Sequence, residues 1–229
     1  MLVNKISMRL FEIVERLYIA INKIFPYKGK VLMFHHITDK NIDTIPCCIC
    51  KIEKFKEIIR ELAKDHEFIH VEDVYKKHHN KIAVITFDDS NSDVFENAYP
   101  FLQEMHIPFT VFIANRLIGV DGMINEKQIR VYAKDPLVTI GFHTHSHSFL
   151  SISKNKKWEI DKSRIILEEI IGQPINVFAY PYGKLYPVGL KAIKIAKKAG
   201  YSMAFGTFDA NITVFSRFFR FYLPRVVIN

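Results

Sequence analysis

Apolar and polar positions follow two rhythms along this chain, and the switch between them recurs throughout. Leu10, Phe11, Val14, Leu17, Tyr18, Ile21 and Phe25 fall three or four apart, the spacing of one face of a helix. Pro26 ends that run, because the residue before a proline disfavours the helical region. Beyond Gly29 the pattern changes. Lys30–Phe34, Ile82–Phe87, Pro108–Ala114, Leu137–Phe142 and Ile175–Ala179 are short apolar runs, as expected of strands covered on both faces. Glu67–His70 is strand-like, and Met203–Gly206 and Leu223–Ile228 supply the last strands. Between them lie helical stretches at Ile52–Asp65, Ser92–Met105, Asn125–Ala133, Trp158–Ile171 and Pro187–Ala199. The second is expected to kink or restart at Pro100. Gly172 and Gly200 close the last two. Residues 41–50 read as a loop. Strands alternating with helices predict parallel β/α units and the α/β class.

A length of 229 residues suits one core with an appendage. The boundary falls after the first helix, giving residues 1–28 as an amphipathic N-terminal helix and 29–229 as the domain. Hydrophobic residues at 49% and charged residues at 24% are ordinary for a soluble protein, which excludes a disordered chain. The formal net charge of +8 is scattered; the densest cluster, Lys154, Lys156 and Lys157, reads as a solvated loop. No nucleic-acid-binding module accompanies the charge, so no nucleic-acid partner is expected. Cys47, Cys48 and Cys50 are an odd count and too few for a four-coordinate zinc site, which points to thiols in a reducing compartment. Lys5, Arg9, Glu12, Glu15, Arg16 and Lys23 interrupt the apolar residues of 1–25, so neither a membrane span nor a signal peptide is read there. Two readings of that helix stand level: packing against the body or a partner subunit, and lying on a membrane surface. The address expected is cytoplasmic, at the inner membrane face under the second reading.

The chemistry sits where strands end. Thr86-Phe87-Asp88-Asp89 puts two adjacent carboxylates after a buried run, a costly arrangement unless a cation neutralises it. One carboxylate can then ligate while its neighbour serves as a base. The plainer alternative is a cap for the following helix. His143, His145 and His147 alternate over five residues, and a spacing of four brings His143 and His147 to one face if the loop turns helically. Two imidazoles, one carboxylate and an open position make a common catalytic zinc arrangement, though other divalent metals suit it too.

These residues resemble the polysaccharide deacetylases of the NodB-homology family, also grouped as carbohydrate esterase family 4. The likeness covers roughly residues 30–229. The family's TFDDG motif appears as Thr86-Phe87-Asp88-Asp89-Ser90, its H-[ST]-x-x-H motif as His143-Thr144-His145-Ser146-His147, and its PYG turn as Pro181-Tyr182-Gly183. The resemblance implies a distorted (β/α) barrel. It implies Asp88 as general base, and Asp89, His143 and His147 as ligands of one divalent ion, zinc foremost, with cobalt or nickel as substitutes. It also implies a loop at Pro181 and Tyr182 that supplies a backbone N–H to the oxyanion. Two departures stand out. Ser90 replaces a glycine, and NVFAYPYG lacks the arginine that many members carry before the turn to orient the base. The chain looks closest to the branch of biofilm poly-N-acetylglucosamine deacetylases, with Leu32-Met33-Phe34-His35 standing in for a late histidine strand as a circular permutation would give. Arg225 in Leu223-Pro224-Arg225 would then replace the missing arginine.

The expected reaction is hydrolysis of an N-acetyl group on a carbohydrate, water activated at the metal attacking the acetyl carbonyl. An O-acetyl esterase and a catalytically inactive carbohydrate-binding domain are the alternatives. An amide's leaving nitrogen must be protonated, and His35, directly after its strand, is the expected acid. His36 should point to the other side of the strand, and His145 should stand between the two ligands. His66, His70, His78, His79 and His106 lie away from the motifs. The alternative for His35 is a hydrogen bond at the barrel rim.

Overall fold

The computed structural model describes residues 2–76 and 81–229. Helix α1 (Leu2–Asn22) leads into strand β1 (Tyr27–Phe34). Two short strands, β2 (His36–Ile37) and β3 (Ile49–Cys50), pair in parallel and tie down the segment read as a loop. Then come α2 (Ile52–Leu62), β4 (His66–Phe68), β5 (Lys81–Phe87), α3 (Tyr99–Glu104), β6 (Phe109–Ile113), α4 (Glu126–Lys134) and β7 (Val138–Phe142). After them follow α5 (Arg164–Ile171), β8 (Val177–Ala179), α6 (Leu185–Val188), α7 (Leu190–Lys198), β9 (Met203–Phe205), β10 (Ile212–Thr213) and β11 (Val226–Val227).

Strands β1, β5, β6, β7, β8 and β9 lie side by side in parallel, the arrangement that β/α alternation predicts. The sheet curls because its strands are staggered. One edge of β5 pairs first with β4 and then with β6. The outer edge of β1 pairs antiparallel with β10 at its start and parallel with β11 at its end. The C-terminal stretch links the two ends of the curl. Leu223 exchanges backbone bonds with Ala204 and Gly206 beside β9, and Ile228 donates to Met33 in β1. The result is the distorted (β/α) barrel expected: Val31, Val84, Phe112, Val177 and Phe205 fill its interior, while Phe34, Phe87, Phe109, Phe142 and Phe178 pack outward under the helical layer, where Phe55, Tyr99 and Tyr132 meet them.

Three helical stretches differ from their periodicity. Ser92–Met105 contains a π turn at Val94–Ala98 before α3, where Pro100 has no N–H to continue the ladder. Trp158–Ile171 also opens with a π turn, and Ser163 Oγ donates to the Trp158 carbonyl, which leaves the α-helical ladder there. Pro187–Ala199 is divided at Gly189 into α6 and α7.

Helix α1 docks through buried polar groups, with Phe11 and Ile19 packed beside them. Glu15, Tyr18 and Asn22 are buried, and their partners are Leu185 N and Tyr222 Oη, Ser216 Oγ, and Thr213 Oγ1 respectively. Leu10, Val14, Leu17 and Ile21, four of the seven apolar positions read from the sequence, face outward. No helix among the described residues is long and apolar enough to cross a membrane.

Candidate active site

Each motif ends a strand on the same rim of the barrel: His35 follows β1, Asp88 and Asp89 follow β5, His143 follows β7, and Pro181 and Tyr182 follow β8. That rim is where β/α barrels build their sites. Asp88 still belongs to the sheet, its N–H donating to Phe34 O at 3.0 Å. The next two residues turn the chain, with φ of 66° at Asp89 and 68° at Ser90. This left-handed region favours glycine, which accounts for the family's glycine at position 90; aspartate tolerates it better than most residues. Two neighbouring carboxylates therefore diverge, and neither caps the following helix.

Asp88 points inward and meets Arg225. The guanidinium grips it with two bonds, Nη1 to Oδ1 at 2.6 Å and Nη2 to Oδ2 at 2.7 Å. Arg225 is 1% exposed and anchored in turn by Gly206 O at 3.1 Å and Thr86 Oγ1 at 3.3 Å. Burial pushes the Asp88 carboxyl up, but Arg225 and then His143 outweigh it and hold the group below its usual range.

Asp89 Oδ1 faces the two histidines, 3.5 Å from His143 Nε2 and 3.0 Å from His147 Nε2. One ligand atom from each lies within 4.8 Å of the others. His143 Nδ1 lies 2.9 Å from Ala179 O, a partner that can only accept, so Nδ1 carries the proton and Nε2 a lone pair. Asp89 Oδ1 is buried without a well-aligned donor. A lone pair and a carboxylate oxygen facing each other at that distance ask for a cation between them, and the donor set suits a divalent metal. Burial also pushes the Asp89 carboxyl up, yet hydrogen bonds and charge from the two histidines in their protonated forms bring it well below the usual range, the same stabilisation a bound cation would give. Burial lowers His147, and Asp89 reverses this to a net rise.

The histidines converge without a helical turn. Thr144 and His147 adopt φ of 69° and 51°, and Thr144 Oγ1 accepts from His147 N at 3.0 Å. Glu159, which the sequence did not single out, props this loop: its carboxylate accepts from His145 N, Ser146 N and Ser146 Oγ. His145 turns away to Trp158 and Asn115.

Tyr182 has φ of 61° and stacks on Phe149 at 4.0 Å between ring centroids, with His147 at 4.9 Å. Its N–H donates to no partner among the described residues; Pro181 has no N–H and offers only shape. The turn needs Gly183, where a Cβ would stand 2.0 Å from Thr207 Oγ1. Behind it Tyr222 Oη lies 2.8 Å from Gly183 O and 2.6 Å from Glu15 Oε1, and that oxygen also accepts from Leu185 N at 2.6 Å. The first helix is thus bonded to the loop that carries Tyr182. No local pattern marks Glu15 for this.

His35 is half-buried, and its Nδ1 is buried without a hydrogen-bond partner among the described residues. Burial lowers its pKa, while the nearby Asp88 and Asp89 carboxylates work against that. His36 is engaged elsewhere, 2.7 Å from Asp93. His66 contacts Tyr27, His70 contacts Thr139 at the start of β7, and His106 is exposed ahead of β6. His78 and His79 lie outside the described residues.

A family model described as polysaccharide deacetylase matches residues 75–204. Poly-beta-1,6-N-acetyl-D-glucosamine N-deacetylases of Staphylococcus aureus are 31% identical to the chain over 162 residues, which are 63% of it and 53% of their length. The chain thus spans about half the length of these relatives. A Streptococcus pyogenes deacetylase solved in complex with acetate shares 21% identity, with a TM-score of 0.76 over 89% of this chain and 93% of that one. IcaB from Ammonifex degensii has the same identity and TM-score over 90% and 93%. These two likenesses show a shared fold.

Proposed function

The chain belongs to the polysaccharide deacetylase family, and on that premise we propose that it hydrolyses N-acetyl groups on a polymer of N-acetylglucosamine, using a divalent ion held by Asp89, His143 and His147. Zinc is the ion the donor set favours. The observation that carries this reading is a buried carboxylate clamped by arginine, Asp88 with Arg225, directly beside a triangle of one carboxylate and two imidazoles. When bound, the metal supplies polarisation of the acetyl carbonyl and a lowered pKa for water.

The chain's own residues do the rest. Asp88, held ionised and unable to swing by Arg225, takes the proton of the attacking water. The Tyr182 N–H donates to the carbonyl oxygen as negative charge develops there. His35 delivers a proton to the leaving nitrogen. One bond forms between the water oxygen and the acetyl carbon, the C–N bond breaks, and acetate and a free amine leave. The stacked rings of Tyr182 and Phe149 offer an apolar face for a pyranose ring. An acid at His35 favours an amide substrate over an ester, because an alcohol leaves more readily than an amine.

The test is acetate release from β-1,6-linked N-acetylglucosamine oligomers. Release that stops with a chelator and returns with zinc is the expected result. Release from O-acetyl glycans alone would replace the amidase by an esterase. Glycan binding without release under any divalent metal would make the domain a binding module.

A further inference from the structure

We propose that the groove between α1 and α7, with the aromatic turn at residues 215–221, is a docking surface for an anionic membrane. The first helix is anchored through Glu15, Tyr18 and Asn22, with Phe11 and Ile19 packed beside them, so Leu10, Ile13, Val14, Leu17 and Ile21 are left exposed. Leu10, Ile13 and Leu17 are more than half exposed, and Ile24 is 80% exposed. Across the groove stand Leu190 on α7 and Phe218, the latter 83% exposed. Together Val14, Leu17, Ile21, Leu190, Phe218 and Phe219 line a cavity of about 510 Å³. A continuous apolar surface of this kind, rimmed by charge, marks an interaction site.

The charge decides the occupant. Arg9 and Arg16 on α1 and Lys23 just past its end recur every seven residues, flanking the apolar stripe, and all are exposed. Lys197 lines the groove on the other side, and α7 adds Lys191, Lys194 and Lys198 with no acidic residue. Arg217 and Arg220 adjoin Phe218 and Phe219 in sequence, but their guanidiniums lie over the Tyr75 ring, so the basic rim is the one on α1 and α7. On α1 the exposed acid among the described side chains is Glu12, since Glu15 is buried. A second copy would bring two basic rims together, which like-charge repulsion opposes. A surface of anionic headgroups neutralises them while the aliphatic and aromatic side chains enter its apolar edge. The helix lies on such a surface and does not cross it, being too charged to span.

The experiment is flotation of the full chain with phosphatidylglycerol-containing vesicles and with pure phosphatidylcholine vesicles. Binding to the anionic vesicles, weakened by salt, is the expected result. Leu17→Glu and Phe218→Glu alter exposed positions outside the catalytic residues. Each should weaken vesicle binding by roughly tenfold or more, with acetate release from a soluble oligomer unchanged. Equal binding to neutral vesicles, or binding indifferent to both variants, would overturn the proposal. So would a stable dimer in sedimentation equilibrium that Leu17→Glu and Phe218→Glu dissolve, or saturable capture of an acidic amphipathic helix in preference to vesicles.

Discussion

The two walls of the site are built on different terms. One wall is β5 with the C-terminal stretch, where Asp88 and Arg225 are 3% and 1% exposed and every Arg225 bond is to a buried partner. The other wall is the loops after β7 and β8. There His147 and Tyr182 reach solvent, Thr144, His147 and Tyr182 sit in left-handed backbone, and ring contacts do much of the joining. The difference suits the work proposed for each. A proton acceptor keeps its charge and direction best in fixed, dry surroundings. A metal and a polymer need an opening. Breaking the first wall leaves a buried charge unpaired, whereas the second is held by individually weaker contacts.

That contrast can be broken first at the metal. His143→Ala should bring metal content and acetate release to background together, read by metal analysis of the purified protein; stoichiometric metal in this variant would remove His143 as a ligand. Next comes the dry wall. Arg225→Met strands Asp88 and should cost about 3–5 kcal/mol in denaturant unfolding. Arg225→Lys should recover only part of it, since an ammonium cannot make the two-pronged contact. A cost near zero for the methionine variant would mean that water reaches the pair. A smaller effect is expected at the prop behind the open wall. Glu15→Ala deprives Leu185 N and the Tyr222 hydroxyl of their acceptor and should cost about 1–3 kcal/mol. Glu15→Gln keeps an acceptor oxygen and should lose less, so equal losses would count against the hydrogen bonds. The smallest change belongs to Tyr182→Ala. Its backbone N–H remains while the stack with Phe149 goes, about 0.5–1.5 kcal/mol. KM for the polymer should rise by up to roughly tenfold, with kcat on a small activated acetate nearly unchanged; a collapse in kcat would mean the side chain itself takes part in the chemistry.

The strands and the rim were legible because continuous apolar runs mark buried strands and the unusual polar residues fall at their ends. The pairing of Arg225 with Asp88, 137 residues apart, left no local trace; only the absence of an arginine before Pro181 suggested where to look. The spacing of His143 and His147 suggested a helical turn, yet left-handed backbone and the Thr144 hydroxyl bring them together. The first helix misled in a useful way. Its apolar positions name the face a body would be expected to cover, but this body presents Leu185 N, Ser216 and Thr213, and polar residues dock there. Hydrophobic spacing reports periodicity and is silent about the partner surface.

The central claim is that the adjacent carboxylates divide the labour, Asp88 moving protons and Asp89 holding metal. Metal stoichiometry and acetate turnover measured on the same samples of Asp88→Asn and Asp89→Asn test it most directly. The account predicts that Asp88→Asn keeps its metal and loses roughly two to four orders of magnitude in turnover, while Asp89→Asn loses metal and turnover together. Equal metal loss in the two variants, or near-normal turnover in Asp88→Asn, would contradict it.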